Sequence, residues 1–252
     1  MIATIAAQEL RLLFRSPLAW IIAAVMQLVF AWLFLAALEE YLTLQPKLAL
    51  RESAPGLTAF LIGKYLAPAA IVMLLISPLL SMRTLAEENR SGSLILLRAA
   101  PVNVSSIVLG KFLGVFGLQF ILLLLALLMP LSLLFFTSPD LGSLLSAFAG
   151  LVFFSAACTA ASLYFSSLTR QPMVAAFSGF ATLLFLWLLG SGSYSSESTS
   201  LVLHNLSLPW HLNSFLQGLL DTRDIIYYLL FIALFLALTT IKLDSLRHTE
   251  SS

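Results

Sequence analysis

The sequence predicts an all-α polytopic membrane protein with six transmembrane helices. Three observations support this fold class. The 252 residues are 60% hydrophobic and only 10% charged, with a mean hydropathy of +1.00, whereas a soluble domain is about 45–50% apolar and about 25% charged. Several apolar runs reach the roughly 18 residues that a helix needs to cross a bilayer. Short polar segments separate these runs, so we expect a single membrane domain over residues 1–252.

Six apolar runs are candidate spans, at about residues 18–38, 57–80, 104–136, 142–168, 173–189 and 225–243. Ser16 and Pro17 precede the first run and are suited to start its helix. That run is longer than the apolar core of about 7–15 residues in a signal peptide, which favours a transmembrane helix. Pro68 and Pro78 predict a kink in the second run, and Pro130 a kink or an end in the third.

Residues 2–15 predict an amphipathic helix in the membrane interface. One face is apolar, with Ile2, Ile5, Ala6, Leu10, Leu13 and Phe14, and the other carries Gln8, Arg11 and Arg15. The alternative is a frayed cytoplasmic tail, and the regular apolar face favours the helix.

Two sets of small residues predict close helix contacts. Gly110, Gly114 and Gly117 follow GxxxG-like spacing, and residues 155–162 of the fourth span are uniformly small. Small residues let membrane helices approach closely. Residues 155–162 could instead line a pathway, but packing is the favoured interpretation.

The segment at residues 201–220 is too polar for an ordinary span. Polar residues and a proline interrupt it, namely His204, Asn205, Pro209, His211 and Asn213. We expect short helices that dip into the outer interface, with Trp210 as an anchor and both histidines as interfacial polar groups. Asp221 can cap the next helix, and Asp224 suits the positive end of its dipole.

The distribution of basic residues predicts the orientation. If the N-terminus is inside, the inner segments hold nine basic residues: Arg11, Arg15, Arg83, Arg90, Arg98, Lys111, Arg170, Lys242 and Arg247. The outer segments hold four: Lys47, Arg51, Lys64 and Arg223. The positive-inside rule therefore places both termini in the cytoplasm.

The sequence carries no pattern that predicts catalysis on this chain. Gly110-Lys111 lacks the other residues of a phosphate-binding loop, the three histidines have no metal-site spacing, and a net charge of +1 gives no case for nucleic acid. Lys64, Lys111 and Lys242 lie near span ends, from which we expect them to snorkel to an interface. So few charges in the spans argue against a proton-coupled carrier, and any transport energy is expected to come from outside the chain.

The most charged segment between spans is residues 82–101, MRTLAEENRSGSLILLRAAP. Its leucines recur at nearly helical spacing, and Pro101 ends the pattern. A charged helix here could contact another protein on the cytoplasmic side; the alternative is a solvated loop that only connects two spans.

Four stretches resemble the permease subunit of a type-2 ABC exporter: residues 9–20, 82–114, 163–180 and 207–238. The second carries an E-E-x-x-x-G-(S/T)-L pattern followed by a proline and G-K, and the fourth carries a G-x-x-D-x-R-D run. These two are the more specific. The short link between the first two spans resembles the compact branch of the family, which includes gliding-motility permeases.

The resemblance implies partners and roles. A second permease subunit, identical or related, would form a dimer with this chain in the inner membrane, and an extracytoplasmic accessory protein could join them. Separate ABC ATPase subunits would bind ATP and Mg²⁺ and dock on a coupling helix at residues 84–98, flanked by residues 2–15 as a connecting helix. The matching coupling residues are Glu87, Glu88, Arg90, Gly92, Ser93 and Leu94.

On the outer side, the resemblance implies that residues 201–222 form a re-entrant element that closes the pathway. The matching residues of this element and the helix start after it are Pro209, Trp210, Gly218, Asp221, Arg223 and Asp224. Two other functions stay open: a membrane anchor or assembly factor that recruits a soluble partner, and a secondary carrier.

Overall fold

The computed structural model describes residues 1–48, 56–91, 103–135, 139–190 and 205–249, and every secondary-structure element in these ranges is helical. The α-helices are α1 Ile2–Arg15, α2 Pro17–Leu48, α3 Leu57–Leu61, α4 Ala67–Ser91, α5 Val104–Leu131, α6 Leu141–Leu168, α7 Pro172–Leu189, α8 Leu208–Leu216 and α9 Thr222–Thr249. A π-helical turn, Ile62–Leu66, joins α3 to α4, and a 3₁₀ turn, Ser132–Phe135, follows α5.

Within the described ranges, six helical segments are long and apolar enough to cross a membrane, which confirms the predicted number of spans. They are Pro17–Pro46, Leu57–Glu88, Val104–Phe135, Leu141–Leu168, Pro172–Leu189 and Thr222–Ser245. The first helix was predicted to give way to a polar link at Glu39, and this was wrong, because α2 continues to Leu48. Leu and Glu are good helix formers, which accounts for the extension, and Oε1 of Glu40 lies 2.9 Å from Nζ of Lys64 on the π-turn.

The second span is interrupted where its sequence carries Pro68. The backbone N–H of Ala67 donates to the carbonyl of Ile62, five residues back, and so closes the π-turn. Pro68 has no N–H to continue the ordinary ladder, so a change of hydrogen-bond register is expected beside it. In the third span, α5 ends one residue after Pro130, as the sequence predicted.

Consecutive spans run in opposite directions, so the bundle has two ends. We call the end that holds α1, the last turns of α4 and the first turns of α5 the α1 end. The opposite end, which holds α8 and the first turns of α6 and α9, is the α8 end. The spans place both described chain termini at the α1 end.

Helix α6 lies at the centre of the bundle and packs against α4, α5, α7, α8 and α9. Its residues 155–162 are all buried within the protomer. The prediction that these small residues serve helix packing is therefore confirmed. Cys158, at the middle of this run, is fully buried.

A buried polar network joins α4, α5 and α6 at mid-depth. The amide nitrogen of Gln119 donates to the hydroxyl of Ser77 at 3.1 Å, and its oxygen accepts from Ser155 and Thr159 at 2.7 Å each. All four side chains are completely buried. Hydrogen bonds between helices in an apolar environment hold the helices in a fixed register.

The glycines of α5 bring it into close contact with α1. A Cβ placed on Gly110 would lie 2.7 Å from Cβ of Ile5, and one on Gly114 would lie 2.6 Å from Cβ of Glu9. The predicted close contact is confirmed, and its partner is the amphipathic helix. Ile5 and Leu10 of α1 lie against the α5 glycines, whereas Gln8, Arg11 and Arg15 are exposed.

Candidate functional site

The α1 end holds a buried charged cluster centred on Lys111. Its ammonium nitrogen lies 2.6 Å from Oε1 of Glu88, 3.2 Å from Oε2 of Glu9 and 3.1 Å from the carbonyl oxygen of Thr84. The Lys111 side chain is only 2% exposed. The expectation that Lys111 snorkels to an interface was wrong, because three acceptors inside the protein satisfy the three donors of its ammonium group.

The cluster connects three helices. Glu9 belongs to α1, Glu88 lies near the end of α4 and Lys111 lies in α5. Burial raises the pKa of Glu9, and the positive charge of Lys111 opposes that increase. Two carboxylates thus share one cation at a junction with little solvent, and removing that cation would leave like charges facing each other.

Of the residues predicted to couple to an ATPase, Glu87 and Arg90 face outward. Both side chains are exposed. Oε2 of Glu87 lies 3.9 Å from Nε of Arg83, one turn earlier in α4. Glu88 instead turns toward Lys111. Gly92, Ser93 and Leu94 lie outside the described residues, as do residues 95–98 of the proposed coupling helix. The described part of that helix, residues 84–91, is a direct continuation of the second span.

The end of α4 is also fixed to α6 through Ser166. The Ser166 hydroxyl accepts from the backbone N–H groups of Leu85 and Ala86 at 3.2 and 3.1 Å and donates to the carbonyl of Met82 at 3.1 Å. Together with Lys111, this contact joins the last turns of α4 to α1, α5 and α6. A displacement of this segment would therefore be passed to all three helices.

At the α8 end, α8 packs across α6 and against the start of α9. The contact with α6 is close, because a Cβ on Gly150 would lie 2.5 Å from Cβ of Phe215. The hydroxyl of Ser146 donates to the carbonyl of Phe215 at 3.1 Å. The predicted short helix in this segment is confirmed, and its depth in the membrane stays a prediction.

A buried contact between a histidine and an aspartate joins α8 to α9. Nδ1 of His211 lies 2.6 Å from Oδ1 of Asp224, and Nε2 lies 3.0 Å from the carbonyl oxygen of Asn205. The histidine ring stacks on Tyr227 with a centroid distance of 3.8 Å. The expectation that His211 is an interfacial polar group stays a prediction; within the protein the residue is buried, and its two ring nitrogens face Asp224 and Asn205. His204 lies outside the described residues.

Two tyrosines of α9 add further contacts to the start of α8. The hydroxyl of Tyr227 donates to the carbonyl of Leu206, and that of Tyr228 donates to the carbonyl of Leu208, each at 2.8 Å. Leu206 lies just before α8, and Leu208 is the first residue of that helix. The start of α8 is therefore fixed to α9 by side chains that reach its backbone.

Gly218 and Asp221 define the turn between α8 and α9. Gly218 has a φ of +82°, and the N–H of Leu219 donates to the carbonyl of Ser214 at 3.0 Å, which is the pattern of a Schellman cap. Asp221 accepts from the N–H of Arg223 at 2.9 Å, which confirms the predicted cap of α9.

The other residues of the predicted outer element have different surroundings. Pro209 lies in the first turn of α8, where proline is well tolerated. Trp210 and Arg223 are exposed. Asp224 lies in the first turn of α9, as predicted from the helix dipole, but it is buried against His211 rather than solvated.

The sequence did not reveal two contacts, that of Glu9 with Lys111 and that of His211 with Asp224. Glu9 and Lys111 are separated by 102 residues, so no local pattern links them. One signal was available for Glu9, because this acidic residue interrupts the apolar face of α1. For His211 the signal was an aspartate 13 residues later in the sequence, across the glycine turn between α8 and α9.

A comparison with protein families matches residues 45–241 to the family described as ABC-2 family transporter protein. The matched region begins near the end of α2 and extends almost to the end of α9. No curated protein matches the chain.

Proposed function

Because the chain belongs to the ABC-2 family of transporter proteins and is a permease subunit of an ABC transporter, we propose that it couples ATP hydrolysis by a separate ATPase subunit to export. ATP and Mg²⁺ bind to that partner. The α1 end faces the cytoplasm of the cell and receives the ATPase, and both termini lie on that side of the inner membrane. The nine-to-four distribution of basic residues supports this orientation.

The observation that carries the proposal is the arrangement of charges around the end of α4. Glu87 and Arg90 point outward, where exposed charges orient a docking partner. Glu88 points inward to Lys111, 2.6 Å away. A single helix end thus offers a charged outer surface and an inner connection to the bundle.

This arrangement transmits movement from the ATPase subunits to the membrane helices. When two ATPase subunits close around ATP, they displace the coupling segment, which includes residues 84–91. Because α4 is continuous from this segment into the span, the displacement travels along it as a rigid lever. Because Lys111 of α5 contacts both Glu88 and Glu9, the displacement of α4 also moves α5 and α1.

The rest of the assembly follows the family pattern. A second permease subunit, identical or related, completes the pathway, and an extracytoplasmic accessory protein can join the complex. The short link between the first two spans favours the compact, gliding-motility-type branch. The α8 segment serves as the re-entrant element that closes the outer side.

The test is a mild-detergent pull-down of the tagged chain from its native membrane, with identification of the proteins that come with it. We expect an ABC ATPase with the unaltered chain. The Glu87→Ala/Arg90→Ala variant should weaken the affinity for the ATPase roughly tenfold, the equivalent of about 1.4 kcal/mol, and so reduce its recovery. The matched control is Glu40→Ala/Lys64→Ala, which removes one exposed acid and one exposed base at the α8 end.

Equal recovery of the ATPase with both double variants would contradict docking on this segment. Recovery of a different soluble protein, with no ATPase, would favour a membrane anchor or assembly factor. A flux that uncouplers abolish while ATP is held constant would instead indicate a secondary carrier.

A further inference from the structure

The outward face of α1 carries two arginines that have no carboxylate partner among the described residues. Arg11 and Arg15 are exposed and lie one helical turn apart, so their side chains project from the same face. The ion pairs in the described part of the chain involve other basic residues. The one acidic residue of this helix, Glu9, points the other way and contacts Lys111.

A groove of about 460 Å³ follows this outward face. It is lined by Thr4, Ala7, Gln8, Arg11, Leu12 and Arg15. Thr4 and Gln8 are exposed and add a hydroxyl and an amide donor beside the guanidinium groups. A guanidinium group can donate two parallel hydrogen bonds to a phosphate group. Since these lining residues include cations and no carboxylate, the groove fits a ligand that has a phosphate group and a net negative charge.

The groove lies at the level of the lipid headgroups. Only Ser16 separates α1 from α2, and the first span begins at Pro17. Arg15 is therefore two residues from the span, and Arg11 is one turn, about 6 Å, further along the helix. The headgroup layer on each side of a bilayer is about 5–7 Å thick, so both guanidinium groups can reach it.

Exposed apolar side chains flank the arginines and continue onto α2. Leu12, Phe14 and Trp20 are all exposed. The indole N–H of Trp20 donates to the carbonyl oxygen of Phe14 at 2.7 Å, and the centroids of the two rings lie 5.7 Å apart. An exposed tryptophan at the start of a span is typical of the membrane interface. Cations beside apolar side chains suit an amphipathic ligand better than a soluble ion.

We propose that the outward face of α1 binds the headgroup of an anionic phospholipid, with Arg11 and Arg15 on its phosphate group and Leu12 and Phe14 against its glycerol and acyl region. A zwitterionic lipid fits less well, because its ammonium group would meet no carboxylate on this face of α1. Lipid binding here is a property of this chain alone and does not depend on coupling to an ATPase.

The test is native mass spectrometry of the full chain, purified in mild detergent and mixed with equal amounts of phosphatidylglycerol and phosphatidylcholine. The two lipids carry identical acyl chains, so their ratio on chains that retain one lipid measures selection of the headgroup. Each arginine near an anionic lipid contributes roughly fivefold in affinity. We therefore expect phosphatidylglycerol to predominate, and the ratio to fall roughly fivefold in Arg11→Gln or Arg15→Gln and further in the double variant.

The matched control is Arg170→Gln, which removes an exposed arginine from the turn between α6 and α7 at the same end of the bundle and should keep the unaltered ratio. Arg11→Lys/Arg15→Lys keeps the charges without the planar guanidinium groups and should give an intermediate ratio. Equal retention of both lipids by the unaltered chain, or equal ratios for Arg11→Gln/Arg15→Gln and Arg170→Gln, would overturn the proposal. An unchanged lipid ratio in Arg11→Gln/Arg15→Gln together with lost recovery of an ATPase would assign this face to the protein partner instead.

Discussion

At the scale of single residues, we expect the loss of Lys111 to reduce stability. Lys111→Met leaves Glu9 and Glu88 without their shared cation at a buried junction. Removing one partner of a buried ion pair costs about 3–5 kcal/mol, which corresponds to a fall of roughly 10 °C in the unfolding midpoint. Thermal unfolding in mild detergent measures this change. Lys64→Met, at an exposed ion pair, is the control and should change the midpoint little; equal midpoints for the two variants would refute the role of the cluster.

Replacing Glu9, in contrast, is not expected to reduce stability. Burial raises the pKa of the Glu9 carboxyl group above the usual 4.5. A carboxyl group with a raised pKa in the folded state contributes stability that is fully present below its unfolded value and is lost as pH rises through the folded value. Glu9→Gln should therefore remove that loss and make the molecule at least as stable as the unaltered chain at neutral pH. Unfolding midpoints of both chains across acidic and neutral pH test this, and a large fall at neutral pH for Glu9→Gln would contradict it.

At the scale of elements, the docking of α1 depends on the glycine face of α5. Gly114→Ala adds a Cβ that would lie 2.6 Å from Cβ of Glu9, so α1 must shift. Overpacking of this kind costs about 1–3 kcal/mol and should also lengthen the contact between Glu9 and Lys111. Limited proteolysis at Arg11 and Arg15 reports the release of α1. Gly63→Ala adds the same group where no atom lies within 4 Å and should leave the cleavage rate unchanged.

The turn between α8 and α9 has a separate requirement. Gly218 adopts a φ of +82° in the cap of α8, and its Cβ position lies 2.8 Å from the Ser143 hydroxyl. Alanine there should cost about 1–2 kcal/mol, which a lower unfolding midpoint would reveal. Gly56→Ala, in open space, is the matched control, and a Gly218→Ala chain as stable as this control would show that the cap is dispensable.

Hydropathy predicted the spans because the requirement for apolar length is local along the chain. The same holds for the small residues of α6 and the glycines of α5, whose spacing on one face is visible in sequence. The charged cluster could not be predicted, because Glu9 and Lys111 meet only after α1 folds against α5. Their burial reverses the rule that charges near span ends reach toward water.

The extension of α2 was missed for a related reason. Glu39 and Glu40 indicated a polar link, but Leu and Glu are good helix formers, and the helix continues to Leu48. The contact between His211 and Asp224 forms only in the tertiary structure, and neither residue type alone indicates it.

At the scale of the whole molecule, the proposed orientation predicts the sides from which the two ends are reached. In a Cys158→Ser background, Arg90→Cys should react with an impermeant thiol reagent only when the cytoplasmic side is open to it. Asn213→Cys should react from the outside. Both positions are exposed, so a difference in labelling reports sidedness; labelling of both from one side would contradict the alternating spans.

The centre of α6 also holds a thiol whose chemical modification reports how long the bundle stays folded. Its one thiol, Cys158, is completely enclosed by neighbouring helices. A lipid-soluble thiol reagent can reach that sulfur only after the helices around it separate. The rate at which this thiol is modified in native membranes therefore reports the rate at which the bundle opens. It gives the lifetime of the folded bundle without purification and without an engineered probe.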